Sequence, residues 1–106
     1  LNDPTVLEAS RVLASRLQTE STSPDLKIEK AFRLIVCRKP NAKELQLLKE
    51  YYTDQLQSFS KQKKNADKLI SVGEYPQNNK VDKVQVAAMM QVIMTIYNLE
   101  ETIVKS

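Results

Sequence analysis

Apolar residues recur along most of this chain at the three- and four-residue spacing of an amphipathic α-helix. This spacing predicts a first helix from residue 4 to about 19, a second from 24 to the turn at 37–40, and a third from the cap at 41 to about 61. The predicted buried stripes are, in order, Val6, Ala9, Leu13 and Leu17; Ile28, Ala31, Phe32 and Ile35; and Leu45, Leu48, Tyr52, Leu56 and Phe59. No segment alternates with the period of two that a β-strand requires, so the pattern indicates an all-α protein.

Local signals predict where these helices begin and end. Asp3-Pro4 and Ser23-Pro24 each place a capping residue before a proline at the first helical position. Asn41, with Glu44 three residues later, has the pattern of a capping box at the start of the third helix. The second helix should end at 37–40, because the proline at position 40 cannot continue the helical hydrogen bonds.

The second half of the chain predicts one short and one long helix. The short helix lies around 66–72 and should end at Gly73, the one glycine, in a left-handed C-cap. The last helix runs from near Asp82 to about Asn98 and is apolar on nearly all sides, which places it at the centre of a bundle or at a partner surface. The expected fold is a small helical bundle of four main helices plus one short helix, arranged as helix hairpins around the last one. Any apolar part of that helix left uncovered would mark an interaction site.

Length and composition narrow the range of functions. With 106 residues and 12.1 kDa, the chain should form a single helical domain over 1–106. The sequence has no histidine, which excludes Ser-His-Asp and Cys-His catalysis and histidine-ligated zinc or haem. One glycine excludes a glycine-rich phosphate loop, and one cysteine excludes an internal disulfide. No apolar run is long enough for a membrane span, and the start has no signal-peptide character. The chain lacks an initiator Met, so we expect it to be a piece of a longer protein. The motifs described below predict that this piece is the C-terminal portion.

The net charge of +3 has a local origin. One stretch, which we call the basic segment, supplies the whole excess of positive charge; it consists of Lys61, Lys63, Lys64 and Lys68. Four lysines at a helix end favour a solvated loop, because base stacking would need aromatic residues among the charges and Phe59 lies on the apolar face. Phosphate or nucleic-acid binding is the less favoured alternative.

A second charged cluster flanks the predicted turn between the second and third helices. Arg33 and Arg38 could hold a carboxylate, phosphate or sulfate group near a helix start. The favoured interpretation is structural: the two arginines hold the helix hairpin together by bonding Glu44 or the last carbonyl groups of the second helix.

The remaining reactive side chains favour structural roles. Cys37 follows three apolar residues and is expected to be a small buried hydrophobic residue, in a turn that needs no left-handed conformation. The three methionines, Met89, Met90 and Met94, are expected in the core, with a haem ligand as the alternative. Glu100 and Glu101 are neighbours that point about 100° apart on a helix and cannot form a facing acid–base pair.

Three stretches of the sequence resemble a known family. Residues 1–11 are similar to the signature LNDPTF-x-EAAR, residues 31–45 to AFRL-x-LGR-x-PT-x-x-EL, and residues 98–102 to NLDEF. In this order they resemble the C-terminal part of the domain-of-unknown-function family 1553, the planctomycete-type PSD domain. Cys37 stands where the family has glycine, and Asn41 where it has threonine.

The resemblance implies a large, exported bacterial protein that often carries cytochrome-c-like domains. No reaction is assigned to the family, so it supplies no catalytic residue, and no cofactor or metal is predicted for this chain. Together with the pattern, it predicts a non-catalytic structural or interaction domain, periplasmic or at the cell surface. Its expected partners are other domains of the same polypeptide or a second copy, with no membrane span. A small anionic-ligand module using Arg33 and Arg38 is the alternative.

Overall fold

The computed structural model describes residues 4–20, 23–71 and 82–105, with side chains described through residue 99. These residues contain five helices. In chain order they are α1 (Pro4–Glu20), α2 (Pro24–Val36), α3 (Ala42–Lys61), α4 (Lys63–Ile70) and α5 (Lys83–Lys105). Within these residues there is no strand, and the all-α prediction of four main helices plus one short helix is confirmed.

Helix α5 is the centre of the bundle and contacts each of the other four helices. Five consecutive residues, 86–90, are fully or almost fully buried, so every side of this part of the helix is covered. Met89 and Met90 lie in this core, and Met94 is half-buried against it. The near-continuous apolar composition of α5 is therefore explained by its central position.

The expectation of an uncovered apolar remainder on α5 is wrong for residues 86–96, which are buried or half-buried throughout. Of the large apolar side chains of α5, Leu99 alone is exposed among those described, near the end of the helix. The short α4 covers the side that the three longer helices leave open, through Ala66 and Ile70. The larger exposed apolar surface lies elsewhere, on α2.

Two predicted boundaries in the second half need correction. Helix α4 begins at Lys63 and ends at Ile70, followed by Ser71 in a right-handed conformation. Lys63, Lys64 and Lys68 are thus helical and do not form a loop. Gly73, the predicted cap, lies outside the described residues. Helix α5 extends to Lys105, seven residues beyond the predicted end at Asn98.

The helix starts follow the predicted signals where they are described. Asn41 and Glu44 form the expected capping box at the start of α3. The carboxylate of Asp82 caps α5, because its Oδ1 accepts hydrogen bonds from the backbone N–H groups of Val84 (2.8 Å) and Gln85 (3.3 Å). Asp3, the predicted cap of α1, lies outside the described residues.

Candidate functional site

The turn between α2 and α3 is held by an arginine–carboxylate clasp. Arg38 donates from Nη1 to Glu44 Oε1 (2.9 Å) and from Nη2 to Glu44 Oε2 (2.8 Å). Nη1 also donates to the carbonyl oxygen of Lys39 at 3.1 Å, and the guanidinium lies 5.0 Å from the centre of the Phe32 ring. The two terminal nitrogens of Arg38 are thus engaged within the protein, and the clasp ties the end of α2 to the start of α3.

Glu44 belongs to the clasp and to the capping box of α3. Its Oε1 accepts the backbone N–H of Asn41, and its own N–H donates to Asn41 Oδ1, both at 2.8 Å. The hydrogen bonds from Arg38, and then the one from the Asn41 backbone, lower the pKa of Glu44 to about 2. The same contact raises the pKa of Arg38. Glu44 therefore remains ionised over the physiological pH range and serves as a fixed anionic anchor.

Cys37 differs from its prediction in two ways. Its backbone is left-handed (φ 66°, ψ 27°), and its N–H donates to the carbonyl oxygen of Arg33 at 3.0 Å as the C-cap of α2. Its thiol is exposed, not buried. A helix that ends in a left-handed residue normally places glycine there, because a side chain costs energy in that conformation. The glycine in the resembling motif was the signal that pointed to this geometry.

Arg33 lies apart from the clasp, on the outer side of α2. There it lines a shallow hollow of about 590 Å³ together with five other residues; the full set is Glu20, Leu26, Glu29, Lys30, Arg33 and Leu34. We call this surface the α2 outer face. Arg38 does not line it, so the structure brings Arg38 and Glu44 together and places Arg33 in a different environment.

Two leucines make the α2 outer face apolar. Leu26 is 58% exposed and Leu34 is 55% exposed, and both lie off the buried stripe of α2. The predicted stripe at positions 28, 31, 32 and 35 contains neither residue, and that was the one sequence signal for this surface. Two large aliphatic side chains are therefore exposed in one hollow, which makes this face a candidate contact surface.

Charged residues surround these leucines. Lys30 forms an ion pair with Glu20 of α1, which lowers the pKa of Glu20 chiefly through the hydrogen bond from Lys30. Glu29 and Arg33 are one helical turn apart, yet neither forms an ion pair among the described residues. The α2 outer face therefore presents one negative and one positive side chain beside its leucines, both available to a partner.

The basic segment is solvent-exposed and helical. Lys61 is the last residue of α3, and the other three lysines lie in the first and last turns of α4. Asp67, the acidic residue among them, pairs with Lys83 at 3.8 Å. Phe59 is buried, and positions 60–71, which contain the four lysines, include no aromatic residue. Phosphate or nucleic-acid binding by this segment stays the less favoured alternative.

A buried polar contact between α1 and α2 was not predicted from the sequence. Lys27 is buried, and its ammonium group donates to Gln18 Oε1. Burial lowers the pKa of Lys27 and raises the pKa of Tyr52. Lys27 does not line the α2 outer face, and its contact with Gln18 joins α2 to α1.

The described residues form neither a candidate metal site nor a membrane-spanning helix. Among the described residues, no three histidine, cysteine or acidic side chains come together as metal ligands. None of the described helices combines the length and apolar character needed to cross a bilayer. Glu100 and Glu101 are helical, and their side chains lie outside the described set.

Comparison with known proteins supports the family resemblance. Residues 1–52 match the family PSD1, described as a protein of unknown function (DUF1553). The matched region contains α1, α2 and the clasp, so this part of the chain is similar to the family. The third resembling stretch, at 98–102, lies outside the matched region. No curated protein and no solved structure matches the chain.

Proposed function

We propose that this chain is a non-catalytic structural and interaction domain whose contact surface is the α2 outer face. The observation that carries the proposal is the exposure of Leu26 and Leu34 in one hollow, in a protein whose other helices bury most of their large apolar side chains. Placing these two leucines against a partner would remove apolar area from water, worth about 25 cal/mol per Å² before the costs of association.

The contacts that other polar side chains make within the protein support a non-catalytic role. The guanidinium of Arg38 and the carboxylate of Glu44 are joined to each other at the α2–α3 turn. Lys27, which is buried, bonds Gln18. These groups hold helices together, and the histidine-free sequence offers no general base of the usual kind.

A place in a larger exported protein belongs to the same proposal. It is supported by the family resemblance and by the incomplete burial of α2, which a neighbouring domain or a second copy would complete. The partner would approach α2 from the side opposite α5, since α5 already occupies the inner side of α2.

Site-specific photo-cross-linking tests this function. A photoreactive phenylalanine derivative replaces Leu34 in the protein as its host produces it, and the matched control replaces Leu47 of α3. Leu47 is also 55% exposed but does not line the hollow. We expect a defined cross-link from position 34, either to a second polypeptide or to another domain of its own polypeptide, and none from position 47. Equal cross-linking from both positions, or none from either, would contradict the proposal.

A further inference from the structure

The α2 outer face has the symmetry of a surface that pairs with itself. Leu26, Lys30 and Leu34 are each four residues apart and therefore form one row along the helix. The two leucines are equally distant from Lys30, one on each side. When two such rows pack antiparallel about a twofold axis near Lys30, Leu26 of each copy lies beside Leu34 of the other.

The charges beside the leucines fit the same arrangement. Glu29 and Arg33 form a second row along one edge of the leucine row, and neither is ion-paired among the described residues. In an antiparallel helix pair, the row on one edge faces the same row of the second helix. Glu29 of each copy then lies near Arg33 of the other, which forms two identical ion pairs across the axis.

Lys30, at the centre, is compatible with this packing. Its ammonium group is directed to Glu20 of α1, so its charge is balanced within its own chain. Its aliphatic stem is free to cover the leucines while the charged end stays at the edge. Two copies of Lys30 near the axis would therefore not bring two uncompensated charges together.

We infer that the occupant of the α2 outer face is a second copy of this chain, bound antiparallel through α2. This rests on the proposed function, because it names the partner of the same surface. Only six residues line the hollow, whereas a standard interface uses about 20–30 residues a side. The isolated chain should therefore dimerise weakly, with a dissociation constant on the order of 0.1–1 mM.

Sedimentation equilibrium with charge-reversal variants tests the pairing. The average mass of the wild-type chain should rise from 12.1 kDa toward twice that value as its concentration approaches about 1 mM. In the Glu29→Arg variant, two positively charged side chains meet at each of the two contacts across the axis. In the Arg33→Glu variant, two negatively charged side chains meet at each of these contacts. Each variant alone should associate about tenfold more weakly.

Mixing the two variants provides the sharpest test. A heterodimer of Glu29→Arg with Arg33→Glu pairs opposite charges at both positions, so an equimolar mixture should regain association to within about threefold of wild type. The folds of the two chains do not change on mixing, so this recovery cannot come from altered stability. The double variant Glu29→Arg/Arg33→Glu should likewise associate as wild type. Matched controls are Asp54→Arg on α3 and Lys64→Glu on α4, both exposed and outside the hollow, which should leave association unchanged.

The possible outcomes separate this inference from the proposed function. A wild-type chain that stays at 12.1 kDa up to about 1 mM, or a mixture that does not recover, overturns the second-copy inference. If position 34 then cross-links to a different polypeptide, the interaction function stands with another partner. If position 34 cross-links to nothing, both fall.

Discussion

Replacing Glu44 by glutamine isolates the charge of the α2–α3 clasp. The carboxylate accepts two hydrogen bonds from Arg38 and one from the backbone N–H of Asn41. Glutamine keeps an oxygen for the Asn41 N–H, so the capping box survives. It loses the negative charge and one of the two acceptors that face Arg38. The change therefore removes the ion pair and spares the start of α3.

The expected loss of stability follows from the pKa and the exposure of the pair. A pKa that moves from 4.5 to about 2 corresponds to about 3 kcal/mol of folding free energy if fully expressed. The side chains of Arg38 and Glu44 are 45% and 25% exposed, so solvent screens much of this interaction. Exposed ion pairs contribute about 0.2–1 kcal/mol to the free energy of unfolding, and the bidentate geometry places this pair at the upper end of that range. We expect Glu44→Gln to lower the free energy of unfolding by about 1 kcal/mol at pH 7.

The pH dependence follows from the sign of the shift. The pKa of Glu44 is lower in the folded protein than in the unfolded chain, so its contribution is fully present above the unfolded value. The contribution is lost as the pH falls from about 5 to about 2, because the unfolded state then binds more protons. Glutamine does not titrate. The stability difference between wild type and Glu44→Gln should therefore shrink toward zero across this range.

Urea denaturation followed by far-ultraviolet circular dichroism measures this difference at pH 7 and at steps down to the acid end. The matched control is Glu50→Gln, on the same helix, whose carboxylate accepts only a 3.5 Å contact from Gln46. This control should change stability by less than about 0.5 kcal/mol at any pH. A wild-type–Glu44→Gln difference that stays constant down to the acid end would refute the reasoning.

Three further changes test other parts of the structure. Cys37→Gly should raise the free energy of unfolding by about 0.5–1 kcal/mol, because glycine adopts the left-handed conformation without the steric cost of a side chain, at some cost in chain entropy. Cys37→Ala should leave stability unchanged. If thermal unfolding shows that Cys37→Gly is destabilising, the left-handed cap is contradicted. Ile93→Ala in α5 should lower the free energy of unfolding, measured by urea denaturation, by about 2–5 kcal/mol. Met94→Ala should lower it less, because Met94 is only half-buried. Equal losses for the two variants would argue against the central position of Ile93. Replacing the four lysines of the basic segment by glutamine should leave stability within about 0.5 kcal/mol and oligonucleotide retention unchanged; a large, salt-sensitive loss of retention would instead favour nucleic-acid binding.

Much of the architecture could be predicted from local sequence. The periodic apolar residues predicted the bounds of α1, α2 and α3 closely, because each of these helices buries one side and exposes the rest. The predicted buried stripe of α1 was only partly correct: Leu17 is buried, but Ala9 is exposed and Ser10, Arg11 and Ala14 are buried instead. The Asn41 capping box could be predicted equally well, since both of its hydrogen bonds lie within four residues of the chain. The bounds of α4 were less accurate, because a lysine-rich stretch forms a helix here only by packing Ala66 and Ile70 against the bundle.

The conformation of Cys37 could not be predicted from its neighbours in the sequence alone. Its apolar neighbours predicted burial, whereas the requirement to end α2 and reverse the chain decided both its left-handed backbone and its exposure. The same is true of the position of Arg33. It is close in sequence to Arg38, but the side of α2 on which it lies separates it from the clasp.

By itself, the sequence determined the helical class, the start of α3 and the absence of histidine chemistry, because these depend on residue type and on spacing within a few turns. Only the tertiary structure decided which apolar residues remain exposed. The sequence marks α5 as the most apolar helix, yet four neighbours cover it, and Leu26 and Leu34 of the less apolar α2 are left in solvent. Burial depends on how many helices surround each position, and that number is set by the packing of the whole bundle.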